Sequence, residues 1–123
     1  MEIIYCEDTR KTLGLLSHFK KPEHIIPKLI SYFEENEQVR IPQIISELKK
    51  GTDIALATNA GTPTISDPGF KLVRECLREG LKIVSIPGAC SPIAALTSSG
   101  LPTDKFIFLG FLKKKSSKRR KEL

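Results

Sequence analysis

The sequence predicts an α/β fold in which short parallel strands alternate with helices. Apolar runs of four or five residues recur along the chain, and amphipathic segments of helical length separate them. The connections between them are a few residues long and are rich in Gly and Pro. Such alternation is typical of a parallel sheet with right-handed crossovers and helices on both faces, which makes three layers.

The first strand and helix are predicted close to the start of the chain. Ile3-Ile4-Tyr5-Cys6 is a short apolar run, and Asp8 or Thr9 can cap the helix that follows it. Apolar residues at helical spacing in that helix predict a stripe that faces the core. The stripe consists of Leu13, Leu16 and Phe19.

A second strand is predicted between Ile25 and Tyr32. Pro27 confines it to a sheet edge or marks its first residue, because proline cannot donate to the ladder. The acidic cluster around Asn36 predicts the start of a helix, since carboxylates are favoured near the helix N-terminus. That helix ends at the basic turn before Gly51, and Pro42 predicts a kink or a late start.

The centre of the predicted sheet is the apolar run Ile54-Ala55-Leu56-Ala57, flanked by strands at Ile3–Cys6 and Ile83–Ile86. A loop of small polar residues follows, and Asp67 is predicted to cap a helix that begins at Pro68 and ends near Glu79. The residues predicted to face inward from this helix are Phe70, Val73, Cys76 and Leu77.

The last part of the chain predicts two more strands around one helix. Lys82–Ile86 is the first strand, and a second loop of small residues leads from it into a helix around Ile93–Thr97. Gly100 and Pro102 stop that helix, and Phe106–Leu109 is the final strand.

Composition narrows the function classes. A chain of 123 residues with 40% apolar and 28% charged side chains is typical of one soluble domain, and no apolar run reaches membrane-spanning length. We therefore expect a cytoplasmic location. Cys6, Cys76 and Cys90 are widely spaced, which favours reduced thiols over a disulfide framework or a zinc site. His18 and His24 lack metal-ligand partners at useful spacing.

The net charge of +6 belongs to one segment of the chain. Residues 113–123 carry seven Lys and Arg side chains, all within 113–121, and one acidic side chain, Glu122, whereas residues 1–112 carry 13 basic and 13 acidic ones. Clustered cations suggest contacts with nucleic acid phosphates. A solvated linker without a partner explains the same composition equally well.

Four blocks of this sequence resemble one known family. Thr58-Asn59-Ala60-Gly61-Thr62-Pro63 with Ile65-Ser66-Asp67-Pro68-Gly69 resembles the S-D-A-G-T-P-x-I-S-D-P-G signature of the ribosomal RNA small-subunit methyltransferase I family, in the tetrapyrrole methylase superfamily. The other blocks follow in the family's order: Cys6-Glu7-Asp8-Thr9-Arg10, Pro87-Gly88-Ala89-Cys90-Ser91, and Gly100-Leu101-Pro102-Thr103-Asp104. The match covers nearly the whole chain.

The resemblance implies an enzyme that uses S-adenosyl-L-methionine to methylate the 2′-hydroxyl of a cytidine in small-subunit ribosomal RNA. It also implies the RNA or the assembled small subunit as partner, a homodimer in the full-length form, and no bound metal. The implied cofactor contacts are Asn59, Gly61, Thr62, Ile65, Ser66, Gly88, Cys90 and Ser91. Without the family match, the glycines and prolines of these loops would be read as residues that shape turns.

The implied catalytic pair is Asp8 and Arg10, with Glu7 as a further candidate base. Simple capping of the helix by Asp8, with Arg10 paired to it, explains the same residues. Two other functions stay open: a methylase of the same fold that acts on a corrin or porphyrin precursor, and a non-catalytic RNA-binding segment.

The sequence also departs from the family. Asn59 stands where members usually carry Asp. Residues 1–112 correspond to the family's first domain without its opening strand, and residues 113–123 correspond to a basic linker toward an absent second domain. We therefore expect this chain alone to be inactive.

Overall fold

The computed structural model describes residues 1–21 and 23–122, and of Glu122 only the backbone. Two compact units divide the chain, the first from Met1 to Pro87 and the second beginning at Gly88. The elements are β1 (Ile3–Cys6), α1 (Thr9–Phe19), β2 (Lys28–Ser31), α2 (Glu37–Lys49), β3 (Ile54–Ala57), α3 (Phe70–Arg78), α4 (Ser91–Ser98) and α5 (Ser116–Glu122). The α/β class predicted from the sequence is confirmed.

The first unit contains a parallel sheet of three strands in the order β2-β1-β3. Ile3 lies beside Lys28 on one side and Ile54 on the other, so all three strands start and end in register. The ladder continues past the strand ends, because the Tyr32 N–H donates to the Cys6 carbonyl (2.8 Å) and the Glu7 N–H donates to the Ala57 carbonyl (3.3 Å). The carboxyl ends of all three strands therefore meet at one edge of the sheet.

The core of the first unit joins the sheet to α2 and α3. Its buried residues come from β1, from the residue after β2 and from both helices, and the two tyrosine rings meet edge to face with centroids 6.4 Å apart. These residues are Tyr5, Tyr32, Ile44, Ile45, Leu72 and Cys76. Burial of this cluster fixes α2 and α3 against the sheet, and with them the loops at the strand ends.

The position predicted for the strand Ile54–Ala57 was wrong. β3 pairs only with β1 and forms an edge of the sheet, and Lys82–Ile86 forms no strand among the residues described. The side chains of Val84 and Ile86 are 64% and 83% exposed. A parallel strand is stabilised by burial on both faces, and this segment has an apolar composition without such cover.

The strand predicted at Phe106–Leu109 is also absent, because its side chains are between 49% and 83% exposed and its backbone joins no ladder. Part of the basic segment 113–121 is helical, since α5 begins at Ser116. Apolar composition alone therefore does not make a strand here, because a strand also has to pair with a neighbour and bury its side chains.

The inward faces predicted for two helices were partly wrong. Among the described residues, α1 has no buried side chain, and Leu13 and Phe19 are 44% and 70% exposed. In α3 the buried residues are Leu72 and Cys76, whereas Phe70 and Leu77, predicted to face inward, are exposed. Periodicity identifies the apolar face of a helix, but only a neighbouring element buries it.

The cap predicted for α3 was wrong as well. Gly69, not Asp67, is the N-cap, and the helix begins at Phe70 instead of Pro68. The reason lies in α2: the Gly69 N–H donates to the carboxylate of Glu37, so an acceptor from another helix occupies the position expected for a local cap.

Other predictions were confirmed. Asp8 caps α1, β2 begins directly after Pro27 and lies at a sheet edge, and α2 ends at Lys49 as its basic turn indicates. α2 begins at Glu37, in the acidic cluster as predicted, and continues through Pro42, so the late start near Ile41 was wrong. The three thiols are free, with Cys6 and Cys76 buried and Cys90 exposed. No helix in the described part of the chain has the length and apolarity of a membrane span.

Candidate functional site

The longest loop at the carboxyl edge of the sheet joins β3 to α3 and spans Thr58–Gly69; we call it the β3–α3 loop. It is built from turns. Gly61, Thr64 and Ser66 have φ values of 72°, 78° and 56°, a region that side chains other than glycine rarely adopt. Strained backbone at two consecutive turns marks a loop that its surroundings hold in one shape.

Local hydrogen bonds maintain that shape. The Thr58 hydroxyl donates to the Ala60 carbonyl (3.1 Å), the Ile65 N–H to the Thr62 carbonyl (3.2 Å), and the Thr64 N–H to the Pro68 carbonyl (3.3 Å). All of the residues on this loop that are implied as cofactor contacts are exposed: Asn59, Gly61, Thr62, Ile65 and Ser66. The structure thus brings these five predicted residues together on one loop.

Two carboxylates contribute negative charge here, Glu7 from the end of β1 and Asp67 from the loop itself. Glu7, directly after β1, accepts a hydrogen bond from the Asn59 N–H at 3.2 Å between N and Oε2. A side chain built on Gly61 would have its Cβ 3.7 Å from the Asp67 carboxylate. Burial, and then the negative charge of Glu7, raise the pKa of Asp67 above its ordinary value. The loop therefore combines exposed amide and hydroxyl groups with negative charge, which suits a cationic ligand that carries hydroxyl groups.

Gly69 closes the loop against the sheet. A Cβ at this position would lie 2.6 Å from Cδ2 of Leu56 and 3.3 Å from Cγ2 of Thr64, and the residue has a φ of 125°. Only glycine fits such an approach of backbone to side chain. At Gly69 the backbone at the start of α3 therefore lies in close contact with the Leu56 side chain of β3.

The buried carboxylate of Glu37, from α2, also contacts Gly69. Glu37 is 4% exposed, and its Oε1 accepts from the Tyr32 hydroxyl (2.7 Å) and from the Gly69 N–H (3.1 Å). Its Oε2 pairs with the Lys71 ammonium at 2.9 Å. Burial opposes ionisation of Glu37, yet the hydrogen bonds from Tyr32, Lys71 and Gly69 together hold its pKa below the ordinary value.

The predicted catalytic pair, Asp8 and Arg10, forms a local ion pair after β1. Asp8 accepts from the Arg10 N–H at 2.9 Å, and its second oxygen accepts from the Arg10 guanidinium at 2.9 Å. The hydrogen bonds from the Arg10 side chain and backbone lower the pKa of Asp8 to about 2. The Arg10 side chain is 90% exposed, so its remaining donors face solvent.

The other three predicted contact residues belong to the second unit. Cys90 is the N-cap of α4 in extended conformation, Ser91 is the first helical residue, and Gly88 precedes them. All three are exposed. They form the second loop of small residues and its junction with α4.

Sequence reasoning missed the roles of Glu37 and Gly69. The sequence indicates Glu37 as part of an acidic helix start. Its partner Gly69 lies 32 positions away, so no local pattern identifies that contact. For Gly69 a signal exists: a glycine directly after Pro68, where a helix begins, indicates a special backbone position. A groove of about 300 Å³ lies beside these residues, lined by Glu34, Glu37, Ser66, Asp67, Pro68, Gly69, Phe70 and Lys71.

Comparison with known proteins agrees with the four sequence blocks. The family described as Tetrapyrrole (Corrin/Porphyrin) Methylases matches residues 1–123. The chain is 46% identical over 94% of its length to the Ribosomal RNA small subunit methyltransferase I of Hydrogenobaculum sp. (strain Y04AAS1). Proteins of the same name from Haemophilus influenzae and Synechocystis sp. are each 45% identical over 100% of this chain.

The chain spans less than half the length of these curated relatives. It covers 49% of the Hydrogenobaculum protein, 42% of the Haemophilus protein and 43% of the Synechocystis protein.

Proposed function

Because the chain belongs to the tetrapyrrole methylase family, we propose that it is part of an S-adenosyl-L-methionine-dependent methyltransferase that acts on small-subunit ribosomal RNA. The observation that carries this proposal is the set of relatives named as methyltransferases of small-subunit ribosomal RNA, at 45–46% identity over 94–100% of the chain. The acceptor we propose is the 2′-hydroxyl of a cytidine ribose, and the setting is the cytoplasm.

The β3–α3 loop supports S-adenosyl-L-methionine as the cofactor. That molecule supplies an electrophilic methyl group on a cationic sulfonium, and it carries ribose hydroxyls and a polar amino acid end. Exposed amide and hydroxyl groups of Asn59, Thr62 and Ser66 fit the hydroxyls and the polar end, and the carboxylates of Glu7 and Asp67 fit the positive charge. We propose that Gly61 and Ile65 complete this part of the site. Gly88, Cys90 and Ser91 stay proposed cofactor contacts on the family resemblance alone.

We propose separate roles for the two members of the ion pair after β1. Arg10 presents exposed guanidinium donors, which suit an RNA phosphate next to the acceptor nucleotide. Asp8, with its low pKa, is a weak proton acceptor and serves the reaction by orienting Arg10. Arg10→Gln should then weaken RNA binding while leaving cofactor affinity unchanged.

The test of the cofactor loop is Thr62→Val, which removes one hydroxyl at nearly constant volume. We expect affinity for S-adenosylhomocysteine, measured by calorimetry on the protein that carries this chain, to fall about fivefold through the lost hydrogen bond. Thr103→Val, at an exposed position outside the loop, is the matched control and should not change the affinity. Gly61→Val is a poorer probe, since its φ of 72° strains any valine.

We also propose that these 123 residues alone do not transfer methyl groups. The loop residues Asn59–Thr62 are exposed, whereas methyl transfer requires an aligned acceptor and a site that excludes water. A tritiated methyl-transfer assay on small ribosomal subunits should show turnover only for a protein of the relatives' length. Equal turnover by both proteins would contradict the proposed site.

A further inference from the structure

One peptide group connects the buried carboxylate of Glu37 to the strained part of the β3–α3 loop. The N–H of the Pro68–Gly69 peptide donates to Glu37 Oε1 at 3.1 Å. The C=O of the same peptide accepts from the Thr64 N–H at 3.3 Å. Because a peptide group is rigid and planar, the orientation imposed at its N–H end also fixes its carbonyl.

From this geometry we propose that Glu37 is a positioning residue of the cofactor loop: its carboxylate orients the Pro68–Gly69 peptide, which holds Thr64 and the neighbouring turns in their ligand-binding shape. This inference rests on the cofactor site proposed above. It concerns how that site is held, and Glu37 itself makes no contact with the cofactor.

Stability alone gives a weak reason for a carboxylate at this position. Glu37 is 4% exposed, and a buried ion pair is often no more stabilising than an apolar residue of the same volume. Its three donors come from three places in the fold: the residue after β2, the N-cap of α3 and the first turn of α3. A carboxylate that accepts hydrogen bonds from several elements fixes their relative orientation, because hydrogen bonds are directional. Apolar packing at the same position would fix that orientation less specifically.

The loop depends on that orientation. Thr64 and Ser66 have positive φ, and such residues keep this conformation only where neighbouring groups enforce it. If the Pro68 carbonyl turns away, Thr64 loses its acceptor and the turn can relax. The exposed groups of Thr62 and Ser66, on either side of Thr64, would then leave the arrangement that we propose for the cofactor.

The test compares Glu37→Met with Glu37→Gln. Both replacements keep the length of the side chain and a high helix propensity, but only glutamine keeps an oxygen that can accept from Gly69. Amide hydrogen exchange of the 123-residue chain is measured at Thr64 and, as an internal reference in the core, at Ile44 of α2. We expect Glu37→Met to raise the exchange rate of the Thr64 amide about tenfold relative to that of the Ile44 amide. In Glu37→Gln the same ratio of rates should stay within about threefold of the wild-type ratio.

A control variant separates positioning from general destabilisation. Tyr32→Phe removes one donor from the same carboxylate but leaves the acceptor for Gly69, so the ratio of the Thr64 and Ile44 rates should not change. Equal acceleration at both amides in Glu37→Met, or none at Thr64, would reduce Glu37 to a structural residue and overturn the proposal. If Glu37→Met does not fold, Glu37→Asp replaces it, since the shorter side chain keeps the charge and withdraws from Gly69.

Affinity for S-adenosylhomocysteine completes the test in the protein that carries this chain. Glu37→Met should bind about tenfold more weakly than wild type, with Glu37→Gln close to wild type. Unchanged binding in Glu37→Met would overturn the link between Glu37 and the cofactor loop. Absence of binding by the wild-type protein would instead contradict the proposed function. The exchange rates would still show whether Glu37 orders the backbone around Thr64.

Discussion

Single residues carry the contact between the β3–α3 loop and the sheet, and Gly69 is the clearest example. We predict that Gly69→Ala lowers the free energy of unfolding by about 2 kcal/mol or more, because the new methyl group would overlap Leu56 and the φ of 125° excludes a side chain. Chemical denaturation of this chain measures the change.

Gly80→Ala is the matched control for that prediction. Gly80 also has a positive φ, 67°, but a Cβ there would meet nothing within 4 Å. Backbone strain alone should then cost about 1 kcal/mol. Equal losses in the two variants would show that the contact with Leu56 adds nothing.

At this same scale, sequence reasoning succeeded where the determining partner is local and failed where it is distant. Asp8 was identified as a cap because its acceptor and the donor of Arg10 are two residues apart. The bond from Gly69 to Glu37 spans 32 positions and depends on how α2 and α3 pack. No pattern within either helix encodes that contact.

At the scale of elements, the three strands up to Ala57 exist as predicted, although Ile54–Ala57 lies at an edge instead of the centre, and the two strands predicted after Ala57 do not form. The three strands of the sheet pair with one another through β1, so apolar composition and a partner edge coincide. Lys82–Ile86 and Phe106–Leu109 have the same composition, but their side chains are largely exposed. The five predicted residues of the β3–α3 loop lie together because the loop follows directly from β3.

The basic segment 113–121 is the element with the strongest charge. If it contacts RNA phosphates, replacing Arg119 and Arg120 with glutamine should weaken binding of single-stranded RNA and reduce the slope of log affinity against log salt by about 1.4, or about 0.7 per charge. Fluorescence anisotropy over a salt series measures both quantities.

The control for that experiment removes two cations elsewhere. Lys20 and Lys21 are exposed residues just after α1, and their replacement with glutamine should leave the slope unchanged. An identical reduction in both double variants would mean that RNA responds to net charge and not to this segment.

At the scale of the whole molecule, the buried core lies entirely in the first unit, between Ile4 and Cys76 among the residues described. We therefore predict that a chain ending at Pro87 unfolds cooperatively, with a free energy of unfolding within about 1 kcal/mol of that of the 123-residue chain. Urea denaturation followed by circular dichroism provides the comparison.

A shorter chain ending at Gly69 tests the reason for that expectation. It lacks Leu72 and Cys76, two of the six residues of the core cluster, and it also lacks the Lys71 partner of Glu37. Such a chain should show no cooperative transition. Loss of cooperativity already at Pro87 would mean that the second unit contributes to the fold of the first.

The different surroundings of the three thiols have a practical consequence. Cys6 is 0% exposed with its Sγ 3.8 Å from the Ile30 carbonyl, Cys76 is 5% exposed, and Cys90 is exposed at the start of α4. A maleimide dye added to the folded protein should therefore attach at Cys90 alone. The chain thus provides its own labelling position at a residue implied in cofactor binding, and slower labelling in the presence of a ligand would report on binding without any engineered cysteine.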